Sequence, residues 1–72
     1  MKMSDVRAIM AGSVWKILVR KGDVVAKGQE VIVLESMKME IPLMAESDGT
    51  VSAVKVHEGD FVDDGEILLI VE

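Results

Sequence analysis

Short apolar runs alternate with polar breaks along this chain, and most of the breaks carry a glycine. Val14-Trp15-Lys16-Ile17-Leu18-Val19 and Val51-Ser52-Ala53-Val54-Lys55-Val56 are rich in β-branched residues, and each is followed by two polar residues and then Gly-Asp. That punctuation predicts a strand closed by a hairpin turn. A second glycine with polar neighbours follows six residues later (Ala26-Lys27-Gly28-Gln29 and Asp63-Asp64-Gly65-Glu66) and predicts a further turn. Beyond it, residues 31–34 and 67–71 read as buried strands.

The same order of signals occurs twice. The six glycines fall at 12, 22, 28 and at 49, 59, 65, a constant offset of 37. Residues 12–35 laid over 49–72 without a gap give eight identities in 24 positions, among them Val14/Val51, Val25/Val62 and Glu35/Glu72. Two copies imply a pseudo-twofold domain, not a solenoid. Neither copy can hide its apolar face alone, so the two are expected to pack as an all-β flattened barrel or sandwich of about eight short strands, filling residues 1–72 as one domain.

Residues 34–41, Leu-Glu-Ser-Met-Lys-Met-Glu-Ile, resist this scheme because they contain good helix formers and no turn residue. Pro42 and the position of the segment argue the other way, since it joins the last strand of copy one to the first strand leading into copy two. The link is therefore expected on the pseudo-axis, with Lys38 at or near a hairpin tip and the chain ends at the opposite pole. A Met-Lys-Met triplet in a turn without Gly, Asn or Pro is a local conflict, and such conflicts tend to mark functional sites.

Composition narrows the chemistry. The chain has no Cys, one His, and Trp15 and Phe61 as its aromatic residues. Disulfides, thiolate zinc sites and cysteine nucleophiles are excluded. At about 0.05–0.15 kcal/mol per residue, 72 residues support roughly 4 to 11 kcal/mol of folding stability, which leaves little for a deep catalytic cleft. The net charge of −5 argues against nucleic acid as a partner. No apolar window is long enough to cross a membrane as a helix, and Met1-Lys2-Met3-Ser4-Asp5 lacks the apolar core of a signal peptide, so a cytoplasmic location without a membrane partner is expected. The charge is uneven, with +3 in residues 1–38 and −8 in residues 39–72, the mark of a solvated acidic half.

Three other features are assigned structural roles. His57 aligns with Arg20 and is expected at a solvent-facing strand end. Asp63, Asp64 and Glu66 lack the spacing of a calcium loop and are expected in a solvated hairpin turn. Trp15 aligns with Ser52, so the twofold does not demand it, and it is expected to pack partly on the barrel surface.

An exposed alkylamine is held almost wholly as the ammonium ion at neutral pH. Lys38 would thus serve as an attachment point only with an outside enzyme to deprotonate it and present an activated acyl group. Residues 35–40, Glu-Ser-Met-Lys-Met-Glu, and the glycine turns around them closely resemble the biotinyl/lipoyl attachment domains. The resemblance runs from Ala8 to Glu72, and Trp15-Lys16 with residues 37–42 is most similar to the free-standing bacterial biotin/lipoyl attachment proteins.

The resemblance implies a barrel-sandwich hybrid fold and a carrier rather than an enzyme. By the same resemblance, Lys38 is acylated by a biotin protein ligase and carries carboxybiotin between the biotin carboxylase and carboxyltransferase sites of a biotin-dependent acyl-CoA carboxylase. Met37 and Met39 match the flanking methionines of the biotinyl type. Glu35 matches an acidic position common to both types. Lipoyl domains usually place Asp immediately before the lysine, where Met37 stands here, which favours biotin. The free-standing subgroup accepts either cofactor, so lipoate, attached by a lipoyl ligase, is the alternative. Residues 8–12, Ala-Ile-Met-Ala-Gly, lack a proline found in many biotinyl domains, and the gap-free repeat leaves no place for the protruding thumb of some carriers. A further reading, from another class, is an unmodified structural or interaction barrel.

Overall fold

A computed structural model describes residues 3–72. Among these residues there are eight strands and no helix: β1 (Ser4–Arg7), β2 (Gly12–Ile17), β3 (Val24–Val25), β4 (Glu30–Ser36), β5 (Met39–Met44), β6 (Gly49–Val54), β7 (Phe61–Val62) and β8 (Ile67–Val71). They form two antiparallel sheets, ordered β1-β8-β6-β3 and β5-β4-β2-β7. The sheets make a flattened barrel with principal extents of 36 × 17 × 17 Å. This is the all-β architecture that the spacing of apolar runs implies.

The offset of 37 holds in detail. It maps β2 onto β6 and β3 onto β7, and the strand pairing Leu34↔Ile41 onto Val71↔Ser4. Extra residues that bulge out of the ladders also come as mates, Trp15 with Ser52 and Val31 with Leu68. The core between the sheets is built from equivalent pairs, Val14/Val51, Val25/Val62 and Ile32/Leu69, all buried. No polar or charged side chain is buried among the described residues. Each fully buried Val, Leu or Ile contributes about 1.5–3 kcal/mol, so a core of this kind accounts for the fold without cross-links.

The turns after β2 and β6 differ from the hairpins expected of them. β2 belongs to one sheet and β3 to the other, and the same is true of β6 and β7. The Gly22-Asp23 and Gly59-Asp60 turns are therefore corners that carry the chain across the sandwich. Gly22 and Gly59 adopt φ of 96° and 95°, a conformation that side chains resist. Gly22 N–H donates to Val51 O and Val51 N–H to Asp23 O; the mates, Gly59 N–H to Val14 O and Val14 N–H to Asp60 O, repeat the pattern, all at 2.8 Å. The carboxylates of Asp23 and Asp60 cap their own corners, accepting from Arg20 N–H at 3.0 Å and His57 N–H at 2.9 Å. Each half thus lends a two-residue edge strand to the sheet of the other.

The second pair of turns also crosses between sheets. The expected hairpin at Asp63, Asp64 and Glu66 is such a crossing, in which Glu66 Oε1 accepts from Asp63 N–H at 3.1 Å. His57 lies three residues past the end of β6, exposed at a corner, where its Nδ1 sits 3.8 Å from Asp60 Oδ2. Trp15 is 42% exposed, with Lys16 Nζ 5.6 Å from its ring centroid.

Candidate functional site

The β4–β5 hairpin places Lys38. In β4, residues 31–34 are buried and fix the strand in the centre of its sheet. β5 pairs alongside it at the sheet edge, with Val33↔Pro42, Leu34↔Ile41, Glu35↔Glu40 and Ser36↔Met39 in register. Pro42 is tolerated because an edge strand leaves one side of its ladder unpaired. Registration of Ser36 against Met39 leaves Met37 and Lys38 as a two-residue loop, so Lys38 stands at the hairpin tip as expected.

Both loop residues have positive φ, 52° at Met37 and 65° at Lys38. Two central residues of positive φ characterise the type I′ hairpin, whose twist matches that of the strands and whose preferred residues are Asn and Gly. Met and Lys take it at a cost of roughly 1–2 kcal/mol each. They are the residues other than glycine with positive φ among those described. The backbone conflict anticipated from the triplet is therefore stored at the tip itself.

The pseudo-axis does not run through this link. The twofold exchanges the hairpin with the paired strand ends, Leu34↔Ile41 with Val71↔Ser4, because the hairpin's equivalent is the place where the chain starts and stops. Lys38 accordingly lies away from the axis that relates the two halves.

At the hairpin base, β2 passes very close to β4. A Cβ added to Gly12 would lie 2.7 Å from Glu35 O and 3.2 Å from Ser36 Cβ, so only glycine fits. This approach opens a shallow depression beside the tip, lined by Ala11, Gly12, Ser13, Glu35, Ser36, Met37, Lys38 and Phe61. Glu35, Met37 and Lys38 of the expected site thus share one surface feature. Met39 is 62% exposed but lines no part of it. Glu35 and Glu40 sit directly opposite each other, a like-charge pairing that is mildly unfavourable.

Phe61 is the site residue that the apolar pattern did not single out. It is 68% exposed on β7, paired with Ser13. Its signal was present in the repeat, where Phe61 replaces Val24, but becomes legible only once β7 is known to lie beside β2.

Lys38 is exposed, and no hydrogen bond or ion pair among the described residues engages it. A primary amine so displayed can form an amide with an activated carboxyl group. No group of His, Asp or Glu suited to hold a metal ion occurs among the described residues.

A family model described as "Biotin-requiring enzyme" matches residues 1–71. The chain belongs to this biotin/lipoyl family. Among curated relatives it is similar to the biotin/lipoyl attachment protein of Bacillus subtilis (strain 168), with 58% identity over 60 residues, covering 83% of this chain and 82% of that protein. It is also similar to the biotinylated protein TB7.3 homolog of Mycobacterium leprae (strain TN), with 43% identity over 67 residues, covering 93% of this chain and 94% of that protein. Among solved structures, the urea carboxylase of Kluyveromyces lactis contains a region that superposes with a TM-score of 0.92 at 28% identity, covering 100% of this chain and 6% of that one. The biotin/lipoyl fold thus recurs both in small proteins of this size and inside a far larger carboxylase.

Proposed function

We propose that this protein is a biotin carboxyl carrier, biotinylated on Lys38, that serves a biotin-dependent carboxylase and has no catalytic role of its own. The observation that carries the reading is the strained two-residue tip: backbone conformation, exposure and sequence together raise one unpaired amine above a rigid barrel. A biotin protein ligase would supply the acyl group as biotinyl-adenylate, a mixed anhydride, and the Lys38 amine, once deprotonated, would attack its carbonyl carbon to form an amide as the acyl C–O bond breaks and AMP leaves.

Lys38 would hold biotin, which would supply the chemistry for carrying a carboxyl group from one enzyme site to another. The chain's own contribution is positional. Val31, Ile32 and Leu34 anchor the hairpin in the core, Gly12 braces its base, and the lysine arm provides reach. Tethering raises the effective concentration of the carried group at partner active sites. The biotin carboxylase and carboxyltransferase components are the partners this role requires. Similarity to a named biotinylated protein and to a region of a urea carboxylase supports it.

A second reading is supported by the similarity to a protein named for both cofactors. On this reading Lys38 also accepts lipoate from a lipoyl ligase. Intact mass of protein from its native host, with peptide mapping, separates the two by the mass added. Lys38→Arg is expected to abolish labelling while the barrel stays folded. Labelling that persisted in this variant would refute the site, and an unmodified Lys38 in cells with active ligase would refute the carrier function.

A further inference from the structure

Every methionine among the described residues, Met3, Met10, Met37, Met39 and Met44, stands at the surface, while the core is built of Val, Leu, Ile and Ala. Methionine more often fills irregular gaps inside a protein. The fold does not ask for it at these places, because Met3, Met10 and Met44 have Glu40, Ser47 and Arg7 as their twofold equivalents, all polar. The chain has no Cys, so thioethers are its oxidisable sulfur.

Two of the five flank Lys38. Met37 is the most exposed of them, and Met39 is exposed as well. Met37 and Lys38 form the loop and Met39 opens β5, so an enzyme that closes over the lysine also covers both sulfurs.

Resting on the biotin carrier reading, we propose that Met37 and Met39 are reversible oxidation sites, converted by peroxides to sulfoxides that slow the loading of Lys38. The sulfur lone pair attacks the outer oxygen of hydrogen peroxide or an organic hydroperoxide. An S–O bond forms, the O–O bond breaks, and water or an alcohol leaves; sulfur gives up two electrons and the peroxide gains them. A methionine sulfoxide reductase restores the thioether as two thiols become a disulfide and the oxygen leaves as water.

Sulfoxidation makes a flexible apolar side chain polar, which ordinarily disrupts a core. Here the described methionines lie outside the core, so the barrel withstands the change. At the tip, each sulfoxide oxygen must be stripped of water as the ligase closes. Loading should fall about fivefold or more.

In the experiment, unbiotinylated protein is treated with hydrogen peroxide and the peroxide is removed with catalase. Peptide mapping, circular dichroism and the rate of biotinylation by the native host's ligase are then measured. Sulfoxide at Met37 and Met39, an unchanged spectrum, slower loading and recovery after reductase treatment are expected. Met37→Leu combined with Met39→Leu conserves volume without an oxidisable sulfur, and its loading rate after peroxide should equal its own rate before. Met44→Leu, at the far end of β5, should lose as much as the parent.

Tip sulfurs left reduced, loading unaltered by their oxidation, or protection by Met44→Leu would overturn the inference alone. So would an unfolded spectrum, since the lost loading would then reflect damage. Untreated native protein that the ligase never loads on Lys38 would overturn the carrier reading with it. Should the double variant fail to load even before treatment, the native protein decides, by whether recovery tracks repair of the Met37 and Met39 sulfoxides in the peptide map.

Discussion

Replacing Met37 by Asn tests whether the lysine is raised on a strained backbone. Met37 is 91% exposed, so its side chain contributes almost no burial and the substitution removes almost none. What changes is the fit to φ of 52°. Asn tolerates this region because its short side chain bonds locally, and relief of a penalty of roughly 1–2 kcal/mol should stabilise the protein by about 1 kcal/mol. For a domain of this size that corresponds to about 4–8 °C in Tm. With a urea m-value near 1 kcal/mol/M, the midpoint should rise by about 1 M. Met37→Ala supplies the control, since it deletes the exposed side chain but retains the unfavourable backbone, and it should stay within about 0.5 kcal/mol of the parent. Matched urea and thermal melts of the three proteins are the assay. If Asn proves no more stable than Ala, the strain argument is wrong. On the carrier reading proposed above, biotin incorporation by a ligase, measured on the same samples, then shows whether the side chain of Met37 or only its backbone would serve modification.

Other predictions follow from the barrel. Gly12→Ala should destabilise by about 1–3 kcal/mol, because its Cβ would meet Glu35 O at 2.7 Å; unaltered urea melts would show that the backbone yields there without penalty. Leu34→Ala should cost about 2–5 kcal/mol, a large part of the total stability, and circular dichroism at growth temperature should register partial unfolding. Glu40→Lys should gain about 0.2–1 kcal/mol by turning the Glu35↔Glu40 pair into opposite charges, an effect that added salt should diminish. Trp15→Ser copies the equivalent residue Ser52 at the matching bulge and should cost no more than about 1 kcal/mol in a thermal melt, since only a half-buried ring and an exposed cation–π contact are lost.

The repeat made much of this architecture readable in advance, because the twofold is written in glycines and valines whose roles are backbone conformation and burial. Gly22 and Gly59 share a φ within a degree, and Val14 and Val51 are equally buried. The hairpin tip was also legible, from Pro42 and the position of the link between copies. The exchange of β3 and β7 between sheets was not. Two-residue strands carry no alternation to read, and their partners are chosen by backbone hydrogen bonds such as Gly22 N–H to Val51 O. The turns after β2 and β6 look like hairpins in the sequence for the same reason. The placement of Phe61 is silent in the sequence because it depends on a neighbour, Ser13, that lies 48 positions away.

The placement of β8 bears on the life of the protein before it is complete. This strand sits between β1 and β6 inside its sheet, yet it follows all seven other strands along the chain. A nascent chain that stops short of it leaves two ladders open and lacks the buried Leu68, Leu69 and Val71, so long-range pairing must await the synthesis of β8. Lys38 emerges from the ribosome before β8 does, but its supporting barrel exists only once β8 has joined. A ligase that requires the folded hairpin would thereby load completed barrels and pass over fragments, a form of quality control encoded in strand order.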